Sequence, residues 1–303
     1  MDILIIIFQV VLAVLVSPLL SGFIKKVKNI IRMRRGAPVF QPYYNLAKYM
    51  SKDEVVSETS SWIFQLTPFV VSGAVICALF LVPLFGTKIS LFPMGDVLAL
   101  FFIMGLARFF LALSALDTGS AFGGMGSSRE MFISGLAEPV AISAVAVAGL
   151  QGGSLDLGRI GFCAFTSFSS LIAVSALFFV ILAETSRVPV DNQETHLELT
   201  MIHEAMILEY SGPSLGLLEL AAHIKQFLFY SLAALLFFPV SFGWYEAPVL
   251  AIFLFVAKII FMALFVSFME IALAKMRLFR VVDFMGFGLA LSILSLVVRG
   301  LGY

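Results

Sequence analysis

Runs of consecutive apolar residues, each long enough to cross a lipid bilayer as a helix, recur along the whole chain. A helix of about 20 apolar residues spans the roughly 30 Å hydrocarbon core of a membrane. Only 13% of the 303 residues are charged and 61% are hydrophobic, whereas about 25% of the residues in an average globular domain are charged. The pattern predicts an all-α polytopic membrane protein.

Eight such runs define the predicted spans, which cover residues 2–24, 62–86, 97–116, 132–150, 160–183, 215–240, 247–270 and 281–300. We interpret the first run as a retained span, because it lacks the basic n-region and the small-residue cleavage site of a signal peptide. No internal repeat is visible. We therefore expect a single membrane domain over residues 1–303 with both termini on the same side.

Basic residues are concentrated in the connections that follow the odd-numbered spans, at about 25–61, 117–131, 184–214 and 271–280. These connections carry thirteen lysines and arginines, whereas the opposite side carries only Lys88, Arg159 and Arg299. Basic residues accumulate in cytoplasmic loops. We therefore predict that the four long connections are cytoplasmic and that both termini lie on the outer, periplasmic side.

Charge balance and cysteine content exclude several other classes of protein. The 19 lysines and arginines equal the 19 aspartates and glutamates in number, so no bulk positive field favours nucleic acid. Cys77 and Cys163 both lie inside apolar runs. That position indicates buried small hydrophobic residues rather than a disulfide or a metal pair.

The connection after the fifth span is unusually acidic for so apolar a chain. Residues 184–212 contain six acids, two histidines and one arginine among many Leu, Ile and Met residues. The spacing of Asp191 and Glu194 predicts a helix start, with Asp191 as cap and a helix over 192–209. Apolar residues surround this helix on all sides, which is typical of a buried helix, and buried acids are costly unless they are paired, hydrated or protonated.

Two interpretations of this segment are open: a solvated loop with helix-favouring glutamates, or a hydrated cavity lined by carboxylates that change protonation. On the predicted helix Glu194, Glu198 and Glu209 fall within about 60° of one another, with His196 and His203 nearly opposite. We favour the cavity, because surface loops rarely alternate acids with so many large apolar residues. No metal site is predicted, because the two histidines are seven residues apart and His203-Glu204 lacks the second histidine of a zinc-protease motif.

A set of residues in fixed order carries a family resemblance. The set is Glu184, Arg187, Pro189, Asp191, Glu194, Glu198 and Glu209-Tyr210-Ser211-Gly212. It resembles subunit 1 of respiratory complex I, the heel subunit that joins the membrane arm to the peripheral arm. His196 in place of the middle acid, the longer stretch before Glu209, and Lys225-Gln226 are similar to the group 4 membrane-bound nickel–iron hydrogenase branch, which includes hydrogenase-4 and formate hydrogenlyase.

Two further motifs extend the resemblance. Arg34, Arg35, Gly36 and Gln41 are similar to an Arg-Arg-Gly-Pro…Gln element, which implies a role in docking or in a quinone cavity, whereas we expect Lys25, Lys26 and Lys28 to contact only lipid phosphates. The segment after span three resembles the hydrogenase branch at Asp117, Gly119, Ser120, Gly126, Arg129 and Glu130. The nine-residue interval from Arg129 to Glu138 also occurs in complex I, where that glutamate lies in a hydrated proton path.

Charged residues inside membrane spans are costly and are candidates for function. They are Arg108, Glu138, Lys225, Lys258 and Glu270, with Glu184 and Glu219 near span ends. The structural alternative is a buried ion pair for Glu138 and Lys258, and snorkelling to the interface for Lys225 and Glu270. Lys258 and Glu270 are about 18 Å apart along one helix and are therefore not direct partners.

The resemblance implies two sets of functional residues. The proton-path set is Asp117, Glu138, Glu184, Asp191, Glu194, Glu198, Glu204, Glu209, Lys225 and Lys258. The docking or cavity set is Arg34, Arg35, Gln41, Arg129, Arg187, His196 and His203.

The resemblance further implies a non-catalytic heel subunit in the cytoplasmic membrane of a prokaryote. Such a chain binds no metal or cofactor itself. Iron–sulfur clusters and a nickel–iron centre belong to a hydrogenase-like large subunit and an iron–sulfur small subunit on its cytoplasmic face, and antiporter-like subunits adjoin it in the bilayer. It couples electron transfer to H⁺ or Na⁺ transport. The alternatives are a quinone-site subunit of a complex I NADH dehydrogenase and a stand-alone secondary transporter, although a transporter often shows an internal repeat.

Overall fold

The computed structural model describes residues 2–84, 97–157, 167–191, 201–237 and 248–302. Within these ranges the chain forms ten helices and no strand. The helices are α1 (Asp2–Ile31), α2 (Gln41–Met50), α3 (Trp62–Leu81), α4 (Val97–Asp117), α5 (Ala121–Gly152), α6 (Phe168–Glu184), α7 (His203–Ile207), α8 (Gly212–Phe237), α9 (Pro248–Ala272) and α10 (Leu278–Gly300).

Most of these helices are long and apolar enough to cross a membrane. Six meet both criteria, namely α1, α3, α4, α5, α9 and α10. Helix α6 is apolar but has only 17 residues, and α8 has 26 residues and carries several polar side chains. Together they account for the predicted spans, so the protein is an all-α multi-pass membrane protein.

Helix α8 lies at the centre of the bundle and packs against α1, α3, α6 and α9. Its aromatic residues Phe227, Phe229 and Tyr230 are among the largest fully buried side chains in the described chain. The outward faces of α1 and α9 instead expose Leu, Ile, Val and Phe. Large exposed apolar side chains on long helices are typical of a lipid-facing surface. Any polar side chain of α8 is therefore held away from lipid and must find its partners inside the bundle.

The four long connections contact one another at one end of the bundle, which we call the connection end. The contacts are hydrogen bonds between Ser211 and Val55, Asp117 and Ser61, Arg129 and Met201, and Pro189 and Met276. This arrangement confirms that these connections share one side. Their assignment to the cytoplasm, with the termini outside, stays a prediction.

The glycine-rich segment after α4, which lies in the predicted connection 117–131, is helical from Ala121 onwards. Gly119 adopts a φ of +70°, which turns the chain after α4, and the Ser120 hydroxyl caps α5 by accepting from the amide of Gly123 at 3.1 Å. Gly126 lies so close to α7 that an added Cβ would be 2.9 Å from the Cβ of Ala205. The glycines therefore allow close helix packing in a long α5 of 32 residues.

The predicted continuous helix over 192–209 is wrong, because residues 201 and 202 are not helical and α7 covers only five residues. Asp191 nevertheless supports a helix start. Its Oδ2 atom accepts from the backbone amides of Ile202 and His203, both at 3.3 Å. The acceptor thus comes from a residue twelve positions before α7 rather than from the adjacent cap position.

The two cysteines do not behave alike. Cys77 lies on α3 and is exposed, in contrast to the predicted burial, because its side chain is on the outward face of that helix. Cys163 lies outside the described residues, as do Glu194, His196 and Glu198.

Candidate functional site

Four helices bring together an ion-pair chain in the interior of the bundle. The guanidinium of Arg108 in α4 donates from Nη1 to Oε1 of Glu184 at 2.7 Å and from Nη2 to Oε1 of Glu138 in α5. The ammonium of Lys225 in α8 lies 3.0 Å from Oε2 of Glu184, the last residue of α6. Two acids and two bases thus alternate in the order Glu138, Arg108, Glu184, Lys225, and we call this set the ion-pair relay.

Burial differs along the relay. Arg108 and Glu184 are 5% and 7% exposed, whereas the side chain of Glu138 is 40% accessible. Charges in an apolar interior are stable only when they are paired and hydrogen-bonded, and the alternation of sign meets that requirement. The relay therefore runs from the centre of the bundle to the flank on which Glu138 is accessible.

A second buried cluster joins α1 to α9. Glu270 accepts from Nη1 of Arg187 at 3.1 Å and pairs with the ammonium of Lys28 at 2.7 Å. All three residues are 6% exposed or less. The snorkelling alternative for Glu270 and the predicted lipid contact of Lys28 are therefore wrong, because the packing of α1 on α9 places these two side chains against each other.

Gln226 links the second cluster to the polar residues of α8 and α1. Its Oε1 atom accepts from Nη2 of Arg187 and from Oγ of Ser21, both at 2.8 Å, and its Nε2 atom donates to the hydroxyl of Tyr230 at 3.1 Å. Oγ of Ser21 also lies 2.9 Å from Nδ1 of His223. Because the single hydroxyl hydrogen of Ser21 is given to Gln226, Nδ1 of His223 is the donor in that contact and its Nε2 atom is left as an acceptor.

A cavity of about 340 Å³ adjoins both clusters on the side of α1, α2, α4, α7 and α8. Its ionisable lining is Lys25, Arg108, Glu130, Glu184, Arg187, His203, Glu204, Glu219, His223 and Lys225. Tyr49 of the short helix α2 also lines the cavity, and burial together with the charges of Glu219 and Glu204 raises the pKa of Tyr49. The wall of the cavity is thus rich in ionisable groups and includes three of the four relay residues, Arg108, Glu184 and Lys225.

Tyr210 fixes the connection before α8 to α3. Its ring stacks on Phe64 with 3.9 Å between centroids, and its hydroxyl donates to the carbonyl oxygen of Phe64 at 3.0 Å. Burial raises the pKa of Tyr210 to about 12. The phenol therefore stays neutral and remains a hydrogen-bond donor at physiological pH.

The structure brings together part of the predicted proton-path set. Glu138, Glu184 and Lys225 belong to the relay, and Glu204 lines the cavity. Asp191 is 1% exposed and pairs with the ammonium of Lys275 at 2.9 Å, so it anchors a connection rather than facing the cavity.

The remaining members of that set lie elsewhere. Asp117 accepts from the backbone amide of Ser61 at 2.7 Å and joins α4 to the start of α3. Glu209 is exposed at the connection end. Lys258 lies in α9 and is not among the residues that line the cavity. Among the described residues, Asp117, Glu209 and Lys258 therefore belong neither to the ion-pair relay nor to the cavity lining.

The docking set is divided in the same way. Gln41 and His203 line the cavity, and Arg187 is buried in the second cluster. Arg34 and Arg35 are exposed in the turn after α1, and Arg129 donates to the carbonyl oxygen of Met201 at 2.9 Å. Among the described members of the docking set, only Gln41, His203 and Arg187 therefore belong to the cavity and its buried surroundings.

Several residues that the structure places in the site belong to neither of the two predicted functional sets. They are Ser21, Lys28, Arg108, Glu130, Glu219, His223, Gln226 and Glu270. Charge within an apolar span was a sufficient signal for Arg108 and Glu270. For Ser21 and His223 the sequence offers no such signal, because their relevance follows only from the contact between α1 and α8.

In the part of the chain that the structure describes, no group of three or more His, Cys, Asp or Glu side chains is arranged to hold a metal ion. That the whole chain binds no cofactor stays a prediction.

Comparison with known proteins assigns the family. The NADH dehydrogenase family matches residues 3–300. Formate hydrogenlyase subunit 4 from Escherichia coli (strain K12) is 30% identical over 295 residues, which cover 93% of this chain and 94% of that protein. Hydrogenase-4 component C from the same strain is 31% identical over 293 residues, which cover 93% and 91% of the two chains.

More distant relatives share the fold. NADH-quinone oxidoreductase subunit 8 from Rhodothermus marinus is 27% identical over 248 residues, which cover 74% of this chain and 68% of that protein. The structure of the membrane-bound sulfane sulfur reductase, an archaeal respiratory membrane complex, contains a chain that superposes with a TM-score of 0.82 at 19% identity and 98% coverage of both chains. The chain belongs to the NADH dehydrogenase family of complex I subunit 1-like membrane proteins, with formate hydrogenlyase subunit 4 and hydrogenase-4 component C as close homologues.

Proposed function

We propose that this chain is the membrane heel subunit of a redox-driven ion-translocating complex, in which it couples electron transfer in attached subunits to the movement of H⁺ or Na⁺. The observation that carries the proposal is the ion-pair relay, which connects a polar cavity to the flank of the bundle at Glu138. Membership of a family that includes subunits of hydrogenase and respiratory complexes supports it.

The ion-pair relay is sensitive to a charge added nearby, because neighbouring members of the relay share ion-pair partners. Glu184 is held by both Arg108 and Lys225, and Arg108 is shared between Glu184 and Glu138. An added charge near the cavity alters the protonation of one carboxylate and thereby the pairing of the next. A redox step at the connection end can thus change the proton affinity of Glu138 several side chains away.

Two exposed regions of the molecule offer places where the proposed partners could dock. A hydrogenase-like large subunit and an iron–sulfur small subunit, which hold the iron–sulfur clusters and the nickel–iron centre, would dock at the connection end, where Arg34 and Arg35 are exposed. Antiporter-like subunits would contact the flank where Glu138 is accessible. On this proposal the connection end is cytoplasmic, and the chain forms one domain in the cytoplasmic membrane of a prokaryote.

The cavity itself supports a second candidate, a quinone-site subunit of a complex I NADH dehydrogenase. Its lining includes apolar side chains such as Val71, Val75 and Met104 beside His203 and Tyr49, a mixture that suits a ring with two carbonyl groups. Quinone-dependent activity of the purified complex would favour this candidate. A stand-alone transporter is favoured less, and ion transport by the isolated chain in liposomes would support it.

Glu138→Gln tests the proposed function in the assembled complex. The amide keeps the shape of the side chain but cannot ionise, so we expect assembly and electron transfer to persist while H⁺ or Na⁺ translocation into membrane vesicles falls about tenfold or more. Glu58→Gln, at an exposed site in the first long connection, is the matched control. Unchanged translocation in Glu138→Gln would contradict the proposal.

A further inference from the structure

The long helix α5 carries a proline close to its midpoint. Pro139 lies inside the helix, one residue after Glu138 of the relay. A proline has no N–H to donate to the carbonyl oxygen four residues earlier, so the carbonyl oxygen of Gly135 loses its usual donor within the helix. Inside a bilayer no bulk water replaces that donor. The Gly135 carbonyl therefore needs a donor from a side chain or from another helix.

At two other prolines inside described helices, the chain supplies such a donor itself. In α3 the hydroxyl of Tyr210 donates at 3.0 Å to the carbonyl oxygen of Phe64, which Pro68 leaves free. In α1 the hydroxyl of Ser17 donates at 3.0 Å to the carbonyl oxygen that Pro18 leaves free. No side chain in the described ranges donates to the corresponding carbonyl of α5. The proline of α5 thus differs from the other two in its missing partner.

Glu138 provides a second acceptor beside the first. Its Oε1 atom pairs with Arg108, whereas its Oε2 atom has no hydrogen bond or ion pair with any described residue. Gly135 precedes Glu138 by three positions, so the two residues are neighbours on the surface of α5. Gly135 is exposed, and a Cβ added to it would meet no atom within 4 Å. Two oxygen acceptors thus lie side by side at an open surface.

That surface is otherwise apolar. Oε1 of Glu138 lies 3.5 Å from the position of a Cβ added to Gly105, which locates the carboxyl group in the groove between α4 and α5. The exposed large side chains on these two helices near the groove are Phe102, Leu106, Phe109 and Phe132. Lipid chains offer no hydrogen-bond donor to the two oxygens. A neighbouring helix does, because polar side chains bond across helices in membranes and glycine allows close approach of the backbones.

We propose that a transmembrane helix of a neighbouring membrane subunit packs on α5 at Gly135 and places an N–H or O–H donor side chain between the Gly135 carbonyl and Oε2 of Glu138. The site is incomplete without that side chain, which does for α5 what Tyr210 does for α3. The inference rests on the proposed function and adds the contact residue and the chemistry of the partner. The ion-pair relay then ends in a hydrogen bond to another subunit.

Photo-crosslinking in the purified, assembled complex identifies the occupant directly. A benzophenone amino acid replaces Phe132, which lies on the same face of α5 as Gly135, or Phe253 on the outward face of α9 as the control. We expect the probe at Phe132 to attach to a transmembrane helix of another subunit that carries a donor side chain, as read by mass spectrometry, and the probe at Phe253 to attach to lipid. Attachment at Phe132 only to lipid, to a second copy of this chain or to a helix without a donor would overturn the proposal.

Gly135→Leu tests the close approach of the partner helix. The added side chain meets no described atom of this chain but fills the space that the partner needs, so we expect about tenfold less of the neighbouring subunit to be retained in the purified complex. Gly286→Leu, at an exposed glycine of α10 that also meets no atom within 4 Å, is the matched control and should retain it. Equal retention in Gly135→Leu and the wild type would refute the contact.

The docking contact and the proposed function fail separately. If Glu138→Gln abolishes translocation but Gly135→Leu keeps the neighbouring subunit attached, the docking contact is refuted and the proposed function stands. If translocation is unchanged in Glu138→Gln while the probe at Phe132 attaches to a donor-bearing helix, the proposed function fails and the docking contact stands. The crosslink at Phe132 is measured with Gly135 in place, so it decides the question even if Gly135→Leu does not fold.

Discussion

Lys28 and Glu270 form a buried ion pair in which Nζ lies 2.7 Å from Oε2, although 242 positions separate them in the chain. Arg187 contacts the other oxygen of the same carboxylate. Glu270 therefore serves two cations at once, and α1, α9 and the connection after α6 are held together at this one side chain.

The two members of this pair are expected to differ in their contribution to stability. Glu270→Gln leaves two buried cations against a neutral amide, and we expect a loss of about 3–5 kcal/mol. Lys28→Met leaves Arg187 paired with Glu270, so it should cost clearly less. Thermal unfolding of the purified complex measures both. Equal losses in the two variants would contradict the shared role of Glu270.

Asp191 is expected to hold α7 in the cavity wall. Asp191→Ala removes the acceptor for the amides of Ile202 and His203 and one partner of Lys275, and each buried backbone amide left unsatisfied costs about 1–3 kcal/mol. Hydrogen exchange of residues 201–207 should therefore become faster. Asp283→Ala, at an exposed position of α10, is the control, and equal exchange in both variants would refute this role.

Close packing of α5 on α7 makes Gly126 sensitive to substitution. An added Cβ would lie 2.9 Å from the Cβ of Ala205 and 3.0 Å from the carbonyl oxygen of Ile202, so Gly126→Ala should destabilise the protein by about 1–3 kcal/mol. Gly124→Ala in the same helix meets no atom within 4 Å and is expected to be neutral or slightly stabilising. Thermal stability of the two variants decides the point, and the reverse order would disprove the packing.

The ionisation of Tyr210 is expected to make the free energy of unfolding depend on pH in the alkaline range. Its pKa is raised by burial to about 12, whereas an unfolded tyrosine ionises near pH 10. A group whose pKa is higher in the folded than in the unfolded state contributes its full stability below the unfolded-state pKa. The contribution of Tyr210 to the free energy of unfolding is therefore lost as the pH rises from about 10 to 12.

Tyr210→Phe tests this link. It removes the hydrogen bond to Phe64 and should cost about 0.5–1.5 kcal/mol at neutral pH, while the alkaline loss of stability becomes smaller. Unfolding temperatures measured across the alkaline range check this, with the exposed Tyr44→Phe as control. Equal alkaline sensitivity in Tyr210→Phe and the wild type would contradict the prediction.

The sequence by itself determined the class of protein and its outline. Apolar runs located the spans, because the thickness of a bilayer fixes the length of a crossing helix. The ordered motif from Glu184 to Gly212 indicated the family, and charge within apolar spans marked Arg108, Glu138 and Glu270 as candidates, because burial of a charge is costly wherever it occurs.

Only the tertiary structure decided which of these groups meet. Lys25 and Lys28 follow the same apolar run, yet one lines the cavity and the other is buried against Glu270. Likewise the buried Nε–H of Arg108, which has no acceptor among the described residues, becomes visible only in the assembled bundle. Periodicity describes one helix at a time, whereas an ion pair depends on the packing and rotation of two helices, so the partners of buried charges follow from the assembled bundle and not from local sequence.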